Sequence, residues 1–292
     1  VNNTVTNGLC ALADVKAALN ITDTISDAAI AAAVNAASRL IESKCNRRFW
    51  QDPAPRSDSG CTLVEGSDTV LDAAIVATDV GRSVIDPTGD GLVSPLSVVA
   101  NVVPGVSFTL ANVVNQDPQP ALGSEVQALT ISLAPRRYVS NDPWLVEVDD
   151  MATLAGLIVQ VDYAGDGTYG LNWEPLDYQL EPINALMQSE PWPFTQIRAI
   201  RDLYFPVWGG IAYPKPYTQA LVMVTAQWGW PNIPATVVEA AILQSIAIYR
   251  AKDVPFGATA FGETGIVRLK QALHPTAELL LSNWIEDPVL VA

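Results

Sequence analysis

The stretch Trp228-Gly229-Trp230-Pro231-Asn232-Ile233-Pro234 separates two kinds of sequence pattern. Before it, Val222, Val224, Ala226 and Trp228 alternate with Leu221, Met223, Thr225 and Gln227. Apolar residues on both alternating faces predict a strand covered on both sides. After it, Thr236-Val237-Val238-Glu239 has the form of a capping box, in which hydroxyl and carboxylate reciprocally satisfy amides left free at a helix start. Val238, Ile242, Ser245, Ile246 and Tyr249 recur at helical spacing as the expected buried stripe. Arg250 and Lys252 complement the C-terminal end of the helix dipole, and Pro255 and Gly257 prevent continuation. A last helical region is expected from about Ile266, interrupted near Pro275, with Leu279, Leu280 and Trp284 as its apolar positions. The stretch Asp287-Pro288-Val289-Leu290-Val291-Ala292 is apolar and no longer fits a helix.

At the front of the chain, residues 12–48 read as two more helices. Leu12, Val15 and Leu19 share one face of the first, which stops at Asn20. Ser26 or Asp27 can cap the second, and Ile30, Val34, Ala37 and Ile41 follow at spacings of four, three and four. Seven alanines between Ala28 and Ala37 favour helix and let a neighbouring backbone approach closely. Charges sit mostly at the two ends of this helix, so it is expected to pack on more than one side, within its own domain or against another subunit. Arg47-Arg48-Phe49-Trp50 closes it, with positive charge at a helix C-terminus.

From Gln51 the character changes. Pro53 and Pro55 open a polar linker, and short β-prone runs follow at Ser97–Val103, Ser107–Val114, Ala128–Leu133, Trp144–Val148 and Leu157–Asp162. Such runs, punctuated by Pro, Gly, Asn and Asp, predict a sandwich- or barrel-like module over residues 52–172. Asp86-Pro87-Thr88-Gly89-Asp90-Gly91 and Asp162-Tyr163-Ala164-Gly165-Asp166-Gly167 invite a calcium reading. Neither supplies the ligand set of a calcium loop, and Asp-Gly is a turn signal in its own right. Longer patterns return from Trp173, with a short strand around Ile197 and Ala199. Trp192, Trp208, Trp228 and Trp230 are expected in core.

Composition narrows the function classes. The 292 residues are 49% apolar and 16% charged, with 31 acids against 16 bases and a formal net charge of −15. Scattered bases argue against tight nucleic-acid binding, whereas an acidic wall could let DNA pass without adhering. Cys10, Cys45 and Cys61 are odd in number and lack metal-ligand spacing, so buried thiols are expected rather than disulfides or zinc. No signal peptide is visible at Val1-Asn2-Asn3-Thr4, and no apolar run approaches the ~18 residues of a membrane span. His274 is the one histidine, directly before Pro275 at a helix boundary, where no triad surrounds it. Nucleotide fingerprints are absent, and nothing selects a catalytic pair among the acids. No enzyme, cofactor or metal is expected.

Both ends of the chain together resemble the head–tail connector (adaptor, head completion) family of long-tailed bacteriophages. At the front, Leu12-Ala13-Asp14-Val15-Lys16-Ala17-Ala18-Leu19-Asn20-Ile21 leads into Ala29–Cys45 and Arg47-Arg48-Phe49. At the back, Val224-Thr225-Ala226-Gln227-Trp228-Gly229-Trp230-Pro231 leads into a helix over 236–252 that closes with Tyr249 to Gly257. The resemblance covers about 10–50 and 183–272. Within 52–172, Thr78-Asp79-Val80-Gly81-Arg82-Ser83-Val84 is similar to the opening of small β-modules in phage structural proteins.

The expected fold is therefore α+β. A helical core of about four helices plus a β-hairpin comes from residues 1–51 and 173–283, a β-rich insertion from 52–172, and a C-terminal tail from 284–292. The resemblance implies a ring-forming virion neck protein, usually of twelve copies. It would join the portal at the capsid vertex to a stopper or tail-completion protein, around a channel through which DNA passes. Assembly would occur in the bacterial host cytoplasm, with no membrane partner. Trp230, Phe256, Trp284, Ile285, Val289, Leu290 and Val291 are the candidate partner-binding residues. The alternative is a virion protein whose β-module binds a host surface or carbohydrate.

Overall fold

The computed structural model describes residues 4–207, 220–251, 258–260, 266–268 and 273–285. Along the chain come helices α1 (Leu12–Leu19) and α2 (Asp27–Cys45), then strands β1 (Arg56–Leu63), β2 (Thr69–Leu71), β3 (Val84–Ile85), β4 (Ser97–Val103), β5 (Ser107–Asn112) and β6 (Glu125–Ile131). They are followed by β7 (Ala134–Tyr138), β8 (Leu145–Val161), β9 (Leu171–Trp173), β10 (Tyr178–Glu181), β11 (Phe194–Ala199) and β12 (Val222–Trp228). Helix α3 (Ala235–Ala251), strands β13 (Ala258–Ala260) and β14 (Ile266–Arg268), and helix α4 (Pro275–Leu281) complete the order. The fold is α+β. It divides into two compact units, residues 1–50 with 232–292, and residues 51–231.

In the first unit α3 packs on α1, α2 and α4. Asn20 and Asn46 end α1 and α2 in the left-handed conformation that asparagine tolerates, at φ 56° and 53°. The buried face of α2 is Ile30, Ala31, Ala33, Val34, Ala37, Ser38, Ile41 and Cys45. The buried face of α3 is Val237, Ala240, Ala241, Gln244 and Ser245. This corrects the stripe read from the sequence. Of the expected stripe Ser245 is buried, but Val238, Ile242, Ile246 and Tyr249 are only half-buried, and the small residues Ala240 and Ala241 are buried in their place. The capping box is also corrected. The helix starts at Ala235, with the Pro234 carbonyl accepting the amides of Val237 and Val238 at 2.9 and 3.0 Å. Thr236 is thereby inside the first turn, where its hydroxyl accepts the Trp284 indole N–H at 2.9 Å. Ile266–Arg268, expected as the start of the last helix, is a strand paired with Ala258–Ala260. Its β-branched Ile266 and Val267 suit that conformation.

The second unit holds two sheets. The first has the order β3-β6-β1-β2-β5-β4, and a bridge between Ser83 and Val98 brings its two edges together. Val99 donates to the Arg82 carbonyl at 2.9 Å and Gly81 donates to the Val99 carbonyl at 2.8 Å, so the sheet nearly closes as a barrel. Cys61, Leu63, Val70, Val99, Phe108, Leu110, Leu129 and Ile131 are in its core. The second sheet has the order β10-β11-β8-β12-β7, with β9 also paired to β8. β12 is covered on both faces, as its pattern predicts, and only Gln227 along it is half-exposed.

Two expected strands, Trp144–Val148 and Leu157–Asp162, are one continuous strand, β8. The residues between them resemble a turn because the ladder is bulged. Thr225 opposes Ile158 but Gln227 opposes Thr153, which leaves Leu154, Ala155 and Gly156 bowed outward. Gly156 sits there at φ 72°. The same strand draws residues 173–231 into the second unit, since β10 and β11 extend from its one side and β12 from its other.

Ala240 and Ala241 are fully buried on the α3 face that packs against its neighbours. Replacing Ala240 by Leu overpacks that contact and is expected to cost about 1–3 kcal/mol, read as a lowered denaturation midpoint. An unchanged midpoint would show that the small-residue face is not closely packed.

Candidate interaction surfaces

The Trp228-Gly229-Trp230 corner is built around Asp150, which β8 carries into its bulged middle. Gly229 donates its amide to the Asp150 carbonyl at 2.8 Å, and the Trp230 indole donates to Asp150 Oδ2 at 2.8 Å. Gly229 has φ 106°, a region open to glycine. Trp228 is fully buried; its indole donates to the Ala134 carbonyl at 2.6 Å, and the Arg136 guanidinium lies 4.5 Å from its ring centroid. Trp230 is also buried, with Trp192 at 5.1 Å. Trp230 is thus committed to packing and hydrogen bonding within the second unit.

The remaining candidate contact residues divide. Trp284 is 9% exposed, its indole bonded to Thr236, whereas Ile285 is 39% exposed. Phe256, Val289, Leu290 and Val291 lie outside the described residues, as does Trp208. His274 stands at the N-cap of α4 before Pro275, its amide donating to Gln244 Oε1 at 2.8 Å.

The run Asp79–Arg82, noticed in the sequence, anchors the barrel. Asp79 is fully buried, and its carboxylate accepts both terminal nitrogens of Arg56 at 2.6 Å, Arg82 Nη1 at 3.1 Å and the Val76 amide at 2.9 Å. Arg82, 2% exposed, also donates to the carbonyls of Ser132, Ala54 and Ile131. Burial alone pushes the Asp79 carboxyl up, but the Arg56 hydrogen bonds, the Val76 amide and both guanidinium charges more than offset it, leaving its pKa lowered. Arg56 also grips Asp58, at 2.9 Å. Asp72 lies near Asp58 in a buried position and takes the Ala74 amide on Oδ1 at 2.8 Å. Burial, reinforced by the Asp58 charge, raises the Asp72 pKa.

The two Asp-Gly turns are closed by their own aspartates. Asp86 accepts the Thr88 amide and hydroxyl at 3.0 and 2.6 Å, and Asp162 accepts the amides of Gly165 and Gly167, each at 2.7 Å. Among the described residues no group of three potential metal ligands converges. The three cysteines are buried free thiols, and burial pushes Cys45 and Cys61 up to about 11. No described helix is long and apolar enough to cross a membrane.

A groove of about 580 Å³ opens in the second unit. One wall is barrel, with Val80, Val98, Ala111 and Val113; the other is β7, with Pro135, Arg136 and Arg137. No local pattern signals it, because Ala134–Tyr138 shows no alternation and carries a proline at its second position. Of the five aromatic residues in 52–172, Trp144 alone is exposed.

Residues 10–77 match the family described as phage gp6-like head-tail connector protein. That match, to the family the sequence resembles, covers α1, α2 and the first two strands of the barrel. The match runs past residue 50 into the second unit and does not include 183–272. No curated protein sequence matches the chain. Among solved structures, a chain from "Neck of empty GTA particle computed with C6 symmetry" is similar over 100% of this chain and 96% of that one, at 12% identity and a TM-score of 0.42. A likeness that loose carries no argument about fold or function.

The buried carboxyls give opposite pH signatures. Asp79, lowered, contributes stability that is present above the ordinary carboxylate pKa, roughly 4, and is lost as pH falls through its folded value. Asp72, raised, contributes stability that is full below that ordinary value and is lost as pH rises through its folded one. Asp72→Asn keeps the acceptor for Ala74 and removes the like charge beside Asp58. It is expected to raise stability at pH 7 by about 1 kcal/mol, in chemical denaturation, and to leave acid stability nearly unchanged. Asp79→Asn is expected to cost about 3–5 kcal/mol at pH 7, because it strands buried Arg82. Equal effects from the two substitutions would overturn these assignments.

Proposed function

We propose that this chain is a structural component of a virion neck: a head-to-tail adaptor that forms a ring and has no catalytic role. The observation that carries the reading is the head–tail connector match over residues 10–77, which spans the paired helices α1 and α2. In this reading the four helices and the β13–β14 hairpin are the adaptor core, and residues 51–231 are an insertion into it. Twelve copies surround the DNA channel, join the portal at the capsid vertex above, and receive a stopper or tail-completion protein below. The acidic composition suits a channel wall that DNA passes without adhering. Alanine-rich α2 suits close packing between subunits that repeat by rotation until the ring closes. Ile285 and the segment Val289–Val291 supply apolar contacts to a partner, with Phe256 as a further candidate. Assembly takes place in the bacterial cytoplasm and ends at the head–tail junction. A host-surface or carbohydrate reading of the β-rich module over 52–172 draws less support, since stacking platforms for sugars need several exposed aromatic faces and those residues expose only Trp144.

Electron microscopy of the chain bound to portal-containing particles tests this reading. Twelve-fold density directly below the portal is the expected result. Absence from the neck, or decoration of the tail tip, would overturn it.

A further inference from the structure

The groove beside β7 is distinguished by its charge. Unit 51–231 holds 21 of the 31 acids and 7 of the 16 bases, a formal −14, whereas the unit of residues 1–50 and 232–292 is close to neutral at −1. The bases of the acidic unit are mostly answered by carboxylates. Arg56 and Arg82 share Asp79, Arg198 pairs with Glu181 at 2.5 Å, and Arg201 with Asp177 at 3.7 Å. Arg136 and Arg137 are the unit's one adjacent pair, and both line the groove. Arg136 binds Asp149 at 2.6 Å, while Arg137 is exposed beside the Tyr169 hydroxyl, with no carboxylate at ion-pair distance among the described residues. The groove is therefore a cationic spot on a strongly anionic unit, which selects for an acidic ligand that can avoid the rest of the surface.

Its shape selects further. β7 ends its sheet, so one of its edges has no strand beside it among the described residues, and Pro135, Arg136 and Arg137 of that strand line the groove. A free sheet edge takes an extended segment as an added strand, with pockets for alternate side chains. The facing barrel wall offers apolar contacts from Val80, Val98, Ala111 and Val113. The occupant must be extended, acidic at one end and apolar at the other.

This chain contains such a segment. Glu286-Asp287-Pro288-Val289-Leu290-Val291-Ala292 has two adjacent carboxylates, a proline that favours extended backbone in the residue before it, and then four apolar residues of which two are β-branched. We propose that the β7 groove receives segment 286–292 of a neighbouring copy, with Glu286 or Asp287 meeting Arg137 and the Val-Leu-Val run lying against the barrel wall. The inference rests on the self-assembly in the proposed function. It assigns the apolar segment a subunit partner, so that each copy holds the next by a strand.

A fluorescently labelled peptide of residues 286–292, titrated onto the full chain and followed by anisotropy, tests the recognition. Saturable binding is expected, weakened tenfold or more by Arg137→Glu in the chain. A peptide with Glu286→Lys and Asp287→Lys is expected to bind wild type poorly and to recover on Arg137→Glu. Sedimentation of the full chain across a concentration series is the second arm, with Arg137→Glu expected to shift association to higher concentration. No saturable peptide binding, or binding indifferent to Arg137→Glu, overturns the inference; if self-association meanwhile persists, the ring reading stands. A chain that binds the peptide but stays monomeric at every concentration overturns both the ring reading and the neighbouring copy as occupant.

Discussion

The second unit depends on a tie between its two ends. Asp52 donates its amide to the Trp228 carbonyl at 2.8 Å, and Gln227 Nε2 donates to the Asp52 carbonyl at 2.7 Å. Residues 175 positions apart in the chain are thereby held side by side. The 1.5 RT ln n dependence of loop closure means that a long excursion costs only modestly more to close than a short one. The cost is offset where β12 is buried between β7 and β8, with Trp228 and Trp230 bonded to Ala134 and Asp150. A β-rich unit can accordingly sit within the chain while helices formed by residues before and after it still pair with one another.

Elements whose side chains alternate or recur at one period were legible in the sequence. α1 ends at Asn20, β4 spans Ser97–Val103 and β12 carries its apolar residues on both faces, all as their patterns predict. The differences have more than one cause, and the first is distant pairing that overrides a local signal. Asp149-Asp150 and Gly156 mimic a turn, yet they are bulges in one strand, because β11 and β12 hold both halves of it in a sheet. Thr236 and Glu239 have capping-box spacing, but Pro234 starts the helix and the Thr236 hydroxyl is taken by Trp284. The stripe on α3 differs from its pattern because large apolar residues signal burial in a sequence, whereas the buried face here includes Ala240, Ala241 and Ser245.

Site-level reading was less complete. The Asp79–Arg82 run was noticed by its resemblance, but its partner Arg56 is 23 residues away from Asp79 and no local pattern links them. The groove was invisible for a similar reason: one wall comes from the barrel and the other from a short edge strand with a proline in it. Burial also changed the standing of Trp230 and Trp284, whose indole N–H groups are satisfied inside their own units. A tryptophan in a conspicuous motif signals a large packing contribution before it signals a partner.

The distribution of cysteines turns the two units into separately reporting bodies. Cys10 and Cys45 are buried in the first and Cys61 in the second, and all three have thiol pKa values raised by loss of solvent. A thiolate-directed reagent reaches such groups only when the surrounding structure opens. Alkylation followed over time, with each modified cysteine assigned by mass, therefore reads the opening of the helices and of the barrel as independent clocks. It would show whether assembly slows one, the other, or both.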